Sequence, residues 1–168
     1  MTSKAFTLIE LIVVVSIITL MTALILPNYR EGERQLALQR SAYKLAQDLR
    51  RAQEMALSSQ KFDKEVPAGY GIYLNKSQPF QYILFADLDN GKDYDAGETV
   101  EILQLERQIQ ISSLSPVSPL TIVFTPPDPQ IYISGGNVAT VVLRPKTDLT
   151  KTKSVIVNKA GLIAVQQP

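Results

Sequence analysis

Phe6-Thr7-Leu8-Ile9-Glu10-Leu11-Ile12-Val13-Val14-Val15-Ser16-Ile17-Ile18-Thr19-Leu20-Met21-Thr22-Ala23-Leu24-Ile25-Leu26-Pro27 is the stretch that decides how this chain is built. Its one charge is Glu10. As a helix it would be roughly 33 Å long, at about 1.5 Å per residue, close to one hydrocarbon core. The run is apolar on every face, which argues against a buried helix of a soluble protein, where one stripe would be apolar. A conventional cleaved signal peptide fits poorly. Only Lys4 precedes the run, no A-x-A site closes it, and Glu10 interrupts it. A plain single-pass anchor fits better but leaves Glu10 unexplained. A carboxylate in hydrocarbon costs on the order of 2.5–3.5 kcal/mol and marks a functional position. Cleavage after Ala5 would explain it. Phe6 would then carry a free α-ammonium one helical turn from Glu10, and that ammonium, on the same or a neighbouring chain, would neutralise the carboxylate and fix register.

Beyond Pro27 the pattern changes. Asn28-Tyr29-Arg30-Glu31-Gly32 is polar, and a kink or local melting is expected around Pro27 and Gly32. Leu38, Ala42, Leu45, Leu49, Ala52 and Ala56 then recur at helical spacing, with Tyr43, Ala46 and Met55 widening the stripe. Arg34, Arg40, Lys44, Asp48, Arg51 and Glu54 fall mostly outside it. The stripe is short for a coiled-coil seam and suits packing against the chain's own sheet. Ser58-Ser59-Gln60 ends the helix. From Lys61 onward the sequence reads as β, with strands expected at 69–75, 80–87, 99–105, 107–111, 120–124, 139–144, 154–157 and 162–166. The expected fold is α+β: a long N-terminal transmembrane and amphipathic helix packed on an antiparallel β-sheet or β-sandwich. The expected segments are 1–5, a leader; 6–27, the transmembrane helix; 28–60, the amphipathic helix; and 61–168, the β-rich domain.

Composition narrows the chemistry. The 168 residues hold no Cys and no His, and the net charge is +1. Disulfides, thiolate metal sites and His-dependent triads are excluded, and no other catalytic motif stands out, so the chain is read as non-enzymatic. Near-neutral charge gives no general pull toward nucleic acid.

Ala5-Phe6-Thr7-Leu8-Ile9-Glu10-Leu11, the apolar run behind it and Pro27 resemble the N-terminus of type IV pilins and type II secretion pseudopilins. The resemblance implies a pilin-like fold. It implies a prepilin peptidase that cuts between Ala5 and Phe6 and methylates Phe6, Glu10 as the registration residue, and Pro27 as the helix-kinking proline. The family normally carries Gly before the cut, where this chain has Ala5. The charges flanking the run do not by themselves favour a cytoplasmic N-terminus; the resemblance does. It implies a single pass through the cytoplasmic (inner) membrane, a C-terminal domain outside the cytoplasm, and, after processing, other pilins or pseudopilins as filament partners. Phe85-Ala86-Asp87-Leu88-Asp89-Asn90-Gly91 with Gly97-Glu98, and Val155-Ile156-Val157-Asn158 before Gly161, look most like the H-type minor pseudopilins and T-type minor pilins.

Two side features offer binding chemistry. Asp87, Asp89, Asp93, Asp95 and Glu98 place oxygen ligands at positions 1, 3, 7, 9 and 12 of a loop, which makes Ca²⁺ the one cofactor the sequence suggests. An EF-hand needs Gly at position 6, where Lys92 stands, and an entering helix, which is not expected. The competing reading is a solvated connection whose Asp, Asn and Gly serve turn chemistry. Arg144, Lys146, Lys151, Lys153 and Lys159, opposed by Asp148, form a basic cluster. DNA-uptake minor pilins use basic loops in this way, so DNA is the alternative partner, against a lysine-rich loop that discourages edge aggregation. Tyr43, Tyr70, Tyr73, Phe80 and Tyr82 are expected in the core, with no basic residue interleaved among them.

Overall fold

A computed structural model describes residues 6–126 and 130–166, with the side chains of 26–28 and 130 excluded. The chain divides into two compact units, Met1–Leu36 and Ala37–Pro168. Among the described residues, one helix, α1 (Leu8–Leu57), precedes nine strands. They are β1 (Gly69–Leu74), β2 (Gln81–Asp87), β3 (Thr99–Gln104), β4 (Ile109–Ser115), β5 (Leu120–Thr125), β6 (Gln130–Ile133), β7 (Val138–Pro145), β8 (Lys153–Asn158) and β9 (Ile163–Gln166). The α+β expectation holds: a long helix, apolar at its N-terminal end, packs on two antiparallel sheets, ordered β3-β2-β1-β5-β6 and β4-β7-β8-β9.

Three expectations need correction. α1 is helical straight through Gly32, so no local melting occurs there; a Cβ at Gly32 would meet nothing within 4 Å. The fourth strand runs to Ser115, well past the expected end at 111. β6 was not expected at all, because only four residues pair with β5 and they follow a proline-rich stretch of sequence.

The helical stripe is buried as its spacing requires. Leu38, Ala42, Leu45, Ala46, Leu49, Ala52, Met55 and Ala56 pack into one core with both sheets. From the first sheet come Tyr70, Ile72, Leu74, Tyr82, Leu84, Leu120 and Ile122, and from the second Ile109, Val141, Leu143, Val155 and Val157. Alanines at four of the stripe positions let backbone and sheets approach closely. The chain passes between sheets after β3, β4 and β6, so the two sheets and the helix face complete one another.

Asp48 is a polar exception within this interface. It is 8% exposed, and Tyr82 donates its hydroxyl proton to Asp48 Oδ2 at 2.5 Å. Burial, then this bond, pushes the Tyr82 hydroxyl far above its ordinary pKa. The pair ties the helix to β2 at one register. Arg51–Glu101 (2.7 Å) and Arg40–Glu106 (2.7 Å) flank the core at the surface, where such pairs contribute little.

β2 alternates poorly in sequence because both its faces are covered. Tyr82, Leu84 and Ala86 join the main core, whereas Ile83 and Phe85 form a second cluster with Val123, Tyr73, Tyr94 and Tyr132. The Phe85 ring lies over Gly71, where a Cβ would come within 2.6 Å of the ring and 2.8 Å of the Ile122 carbonyl. Gly71→Ala should therefore destabilise the protein by about 1–3 kcal/mol through overpacking. Leu49→Ala, which opens a cavity under both sheets, should cost about 2–5 kcal/mol. Denaturant unfolding of the detergent-solubilised protein measures both.

Candidate functional site

The N-terminal end of α1 is the first candidate. Thr7 stands just before the helix and Glu10 three residues on, the spacing of a capping box. Glu10 N–H donates to Thr7 Oγ1 (3.3 Å), while Thr7 N–H and Thr7 Oγ1–H donate to Glu10 Oε2 (3.4 and 3.3 Å). Glu10 thus also satisfies an orphan donor at the helix start and complements the helix dipole. Thr7-Leu8-Ile9-Glu10 before an apolar run is the written signature of that motif, and a reading centred on charge pairing alone overlooks it. The three contacts are at the long end of the hydrogen-bond range.

Behind the cap, α1 contains a stretch long and apolar enough to cross a membrane, and none of that stretch is buried. Its large side chains are open all round the helix; Leu8 is 75% exposed, Val14 46% and Leu24 68%. The hydroxyls it carries are satisfied internally. Ser16, Thr19 and Thr22 donate to the carbonyls of Ile12, Val15 and Ile18, each at 2.8 Å. Such back-bonding removes most of the cost of placing these groups in an apolar medium. Ala5, and with it the expected cleavage bond, lies outside the described residues, as does the side chain of Pro27; α1 is helical on both sides of position 27.

The acidic connection between β2 and β3 is the second candidate. Asp87 closes β2, and Glu98 leads into β3. Both are buried, at 1% and 5% exposure. Carboxylate oxygens of Asp87, Asp89 and Glu98 converge within 4.8 Å of one another. Asp93 and Asp95, expected to share the site, are exposed and are not among the converging groups, so the five-ligand loop of the sequence reading does not form. The loop is folded around its acids: Leu88 N–H donates to Glu98 Oε1 (2.8 Å), Asp95 N–H to Glu98 Oε2 (3.2 Å), Lys92 N–H to Asp87 Oδ2 (3.2 Å), and Gly91 N–H to Asp89 Oδ1 (2.8 Å). Tyr94 anchors it to the sheet, its ring centroid 5.1 Å from Tyr73 and 5.7 Å from Phe85. Burial lifts the Asp87 carboxyl above the usual aspartate range, and the charges of Glu98 and Asp89 add to it against amide bonds from Lys92 and Asn90.

The basic cluster is divided. Arg144 on β7, Lys146, Lys151 and Lys153 gather at one end of the second sheet, where Leu143 pairs with Lys153. Lys159 lies beyond the other end of β8, about 20 Å away at the rise of a strand. It lines a separate cavity of about 600 Å³ with Asn90, Lys92 and Tyr132. Tyr43 and Phe80 are not in the core: they are 53% and 42% exposed. Lys153 stands 5.7 Å from the Tyr43 ring centre, and Lys146 3.9 Å from that of Phe80. Cation–π pairing across elements far apart in sequence explains why no basic residue reads as interleaved with them. Compared with protein-family models, with curated proteins and with solved structures, the chain matches none.

The Asp87 environment has a pH consequence. Its folded-state pKa lies above the unfolded one, so the folded protein binds this proton more tightly. Ionised Asp87 therefore costs stability; the cost is complete above the raised value and is withdrawn as pH falls through the window down to the unfolded value. In divalent-free buffer, an NMR titration should place the Asp87 midpoint above the ordinary 3.8. Asp87→Asn should remove that component of the pH–stability profile.

Proposed function

We propose that this chain is a non-enzymatic, pilin-like structural subunit, anchored by α1 in the cytoplasmic membrane and assembled into a filament of a secretion or pilus machine after a prepilin peptidase cuts between Ala5 and Phe6 and methylates Phe6. The observation that carries this reading is the contrast within one helix. The stripe from Leu38 to Ala56 is buried by the chain's own sheets, whereas the apolar side chains of residues 8–25 are exposed. Large apolar surface of that extent needs lipid or other apolar helices around it. Lipid serves the precursor, and neighbouring helices serve the assembled form.

Glu10 has two roles in this mechanism. It caps its own helix through Thr7, and its carboxylate receives the terminal ammonium that cleavage creates on Phe6 of an adjoining subunit. The long Thr7 contacts leave room for a shorter, charge-assisted bond to an ammonium, which would be roughly twice as strong. Subunits shifted along the helix axis would leave the carboxylate unpaired in an apolar core, so the pairing selects one register. The β-rich unit, Ala37–Pro168, is then presented outside the cytoplasm as the surface of the assembly.

Substitutions at Glu10 separate the two roles. Glutamine preserves a capping box but carries no charge. Glu10→Gln should keep the helix and the processing while reducing filament incorporation at least tenfold, read by shearing and immunoblotting against the parent. Glu10→Leu should lose both cap and incorporation. Normal incorporation of Glu10→Gln would show that capping alone accounts for the residue. Intact-mass measurement of the membrane-extracted protein should find a mature form that begins at methylated Phe6; a form retaining Met1 would reduce the protein to a membrane tether.

A further inference from the structure

We propose that the connection between β2 and β3 binds a calcium ion, with Asp87, Asp89 and Glu98 as its side-chain ligands. The inference does not depend on whether the subunit assembles.

Convergence of acids alone would not carry it, since exposed acidic turns are common. The second observation is Asp87 Oδ1. It is shielded from solvent and, among the described residues, has no hydrogen-bond donor, although Asp87 Oδ2 in the same carboxylate accepts from Lys92 N–H. A buried carboxylate oxygen without a partner is among the most costly states a polar atom can occupy. The same carboxylate belongs to the group that converges with Glu98, also buried, and with Asp89, which is exposed. Among the described residues no lysine or arginine forms an ion pair with any of the three. The one lysine of the loop, Lys92, holds its ammonium 5.7 Å from the Tyr132 ring centre instead.

A divalent cation resolves both problems at once. It gives Oδ1 a partner and offsets three like charges. The donor set is all oxygen, which selects a hard cation. Oxygens on opposite sides of one calcium ion are about 5 Å apart, twice a Ca–O distance of about 2.4 Å, so three oxygens within 4.8 Å are already at coordination spacing. Magnesium demands a tighter, near-octahedral shell and gives up its water reluctantly. Two of the ligands sit where strands end and begin, and Tyr94 fixes the loop between them, so little ordering remains to be done on binding. The site differs from the EF-hand spacing in sequence because Asp93 and Asp95 take no part.

The test is titration of the full chain in detergent, freed of divalent ions by chelation, with calcium chloride and separately with magnesium chloride. Calcium at about 100 times its dissociation constant should raise Tm by about 5–10 °C and give a saturable one-site isotherm. Magnesium at the same concentration should move Tm by less than a third as much. Asp89→Asn, at an exposed position that spares the core, should weaken calcium binding at least tenfold. Glu98→Gln should do the same while its amide oxygen still accepts from Leu88 N–H. Absence of heat and of a Tm shift at millimolar calcium overturns the proposal. So does equal binding by Asp89→Asn and Glu98→Gln, or an equal response to magnesium.

Discussion

The apolar surface of α1 sets the terms for the rest of the molecule. Over its C-terminal part, two sheets cover one stripe and leave charged residues such as Arg40, Lys44 and Arg51 outside. Over residues 8–25 large apolar side chains are exposed on every face of the helix. Each Å² of such surface left in water costs about 25 cal/mol, so the same helix is stabilised in two different ways along its length. Folding covers the C-terminal part, and the stretch long and apolar enough to cross a membrane is left open.

Polar groups along α1 follow the same division. Ser16, Thr19 and Thr22 find hydrogen-bond partners on their own helix and Glu10 finds Thr7 at its cap, as a segment without sheet partners requires. Asp48, in the covered half, finds its partner on a strand, Tyr82. A buried polar pair of this kind adds little net stability but penalises other registers, because sliding the helix would strand both groups. The helix is therefore fixed on its sheets by a polar pair as well as by apolar packing.

The outer face of the first sheet carries a second, smaller piece of architecture. Phe85 lies over Gly71, Tyr94 closes against Tyr73 and Phe85, and the acidic connection is thereby held on the sheet edge. Rigidity at Asp87 and Glu98 comes from strands, whereas the intervening residues carry the turn chemistry, with Asn90 and Lys92 in the left-handed region. This explains why a loop so rich in acid folds inward at its two ends and leaves Asp93 and Asp95 in solvent.

Local periodicity was enough to read the apolar run, the stripe from Leu38 to Ala56, the α+β class, the centres of seven strands and the start of β4, because each of these is a property of neighbouring residues. The capping box at Thr7 and Glu10 was equally legible, being a spacing of three. What tertiary structure decided was every pairing across distance: Asp48 with Tyr82, Lys146 over Phe80, Lys153 over Tyr43, the separation of Lys159 from the other basic residues, and the addition of β6 to an edge. The acidic loop shows the difference most clearly. Its sequence offered five carboxylates between Asp87 and Glu98, and only the fold, which buries the two at the strand ends, selected the three that face one another.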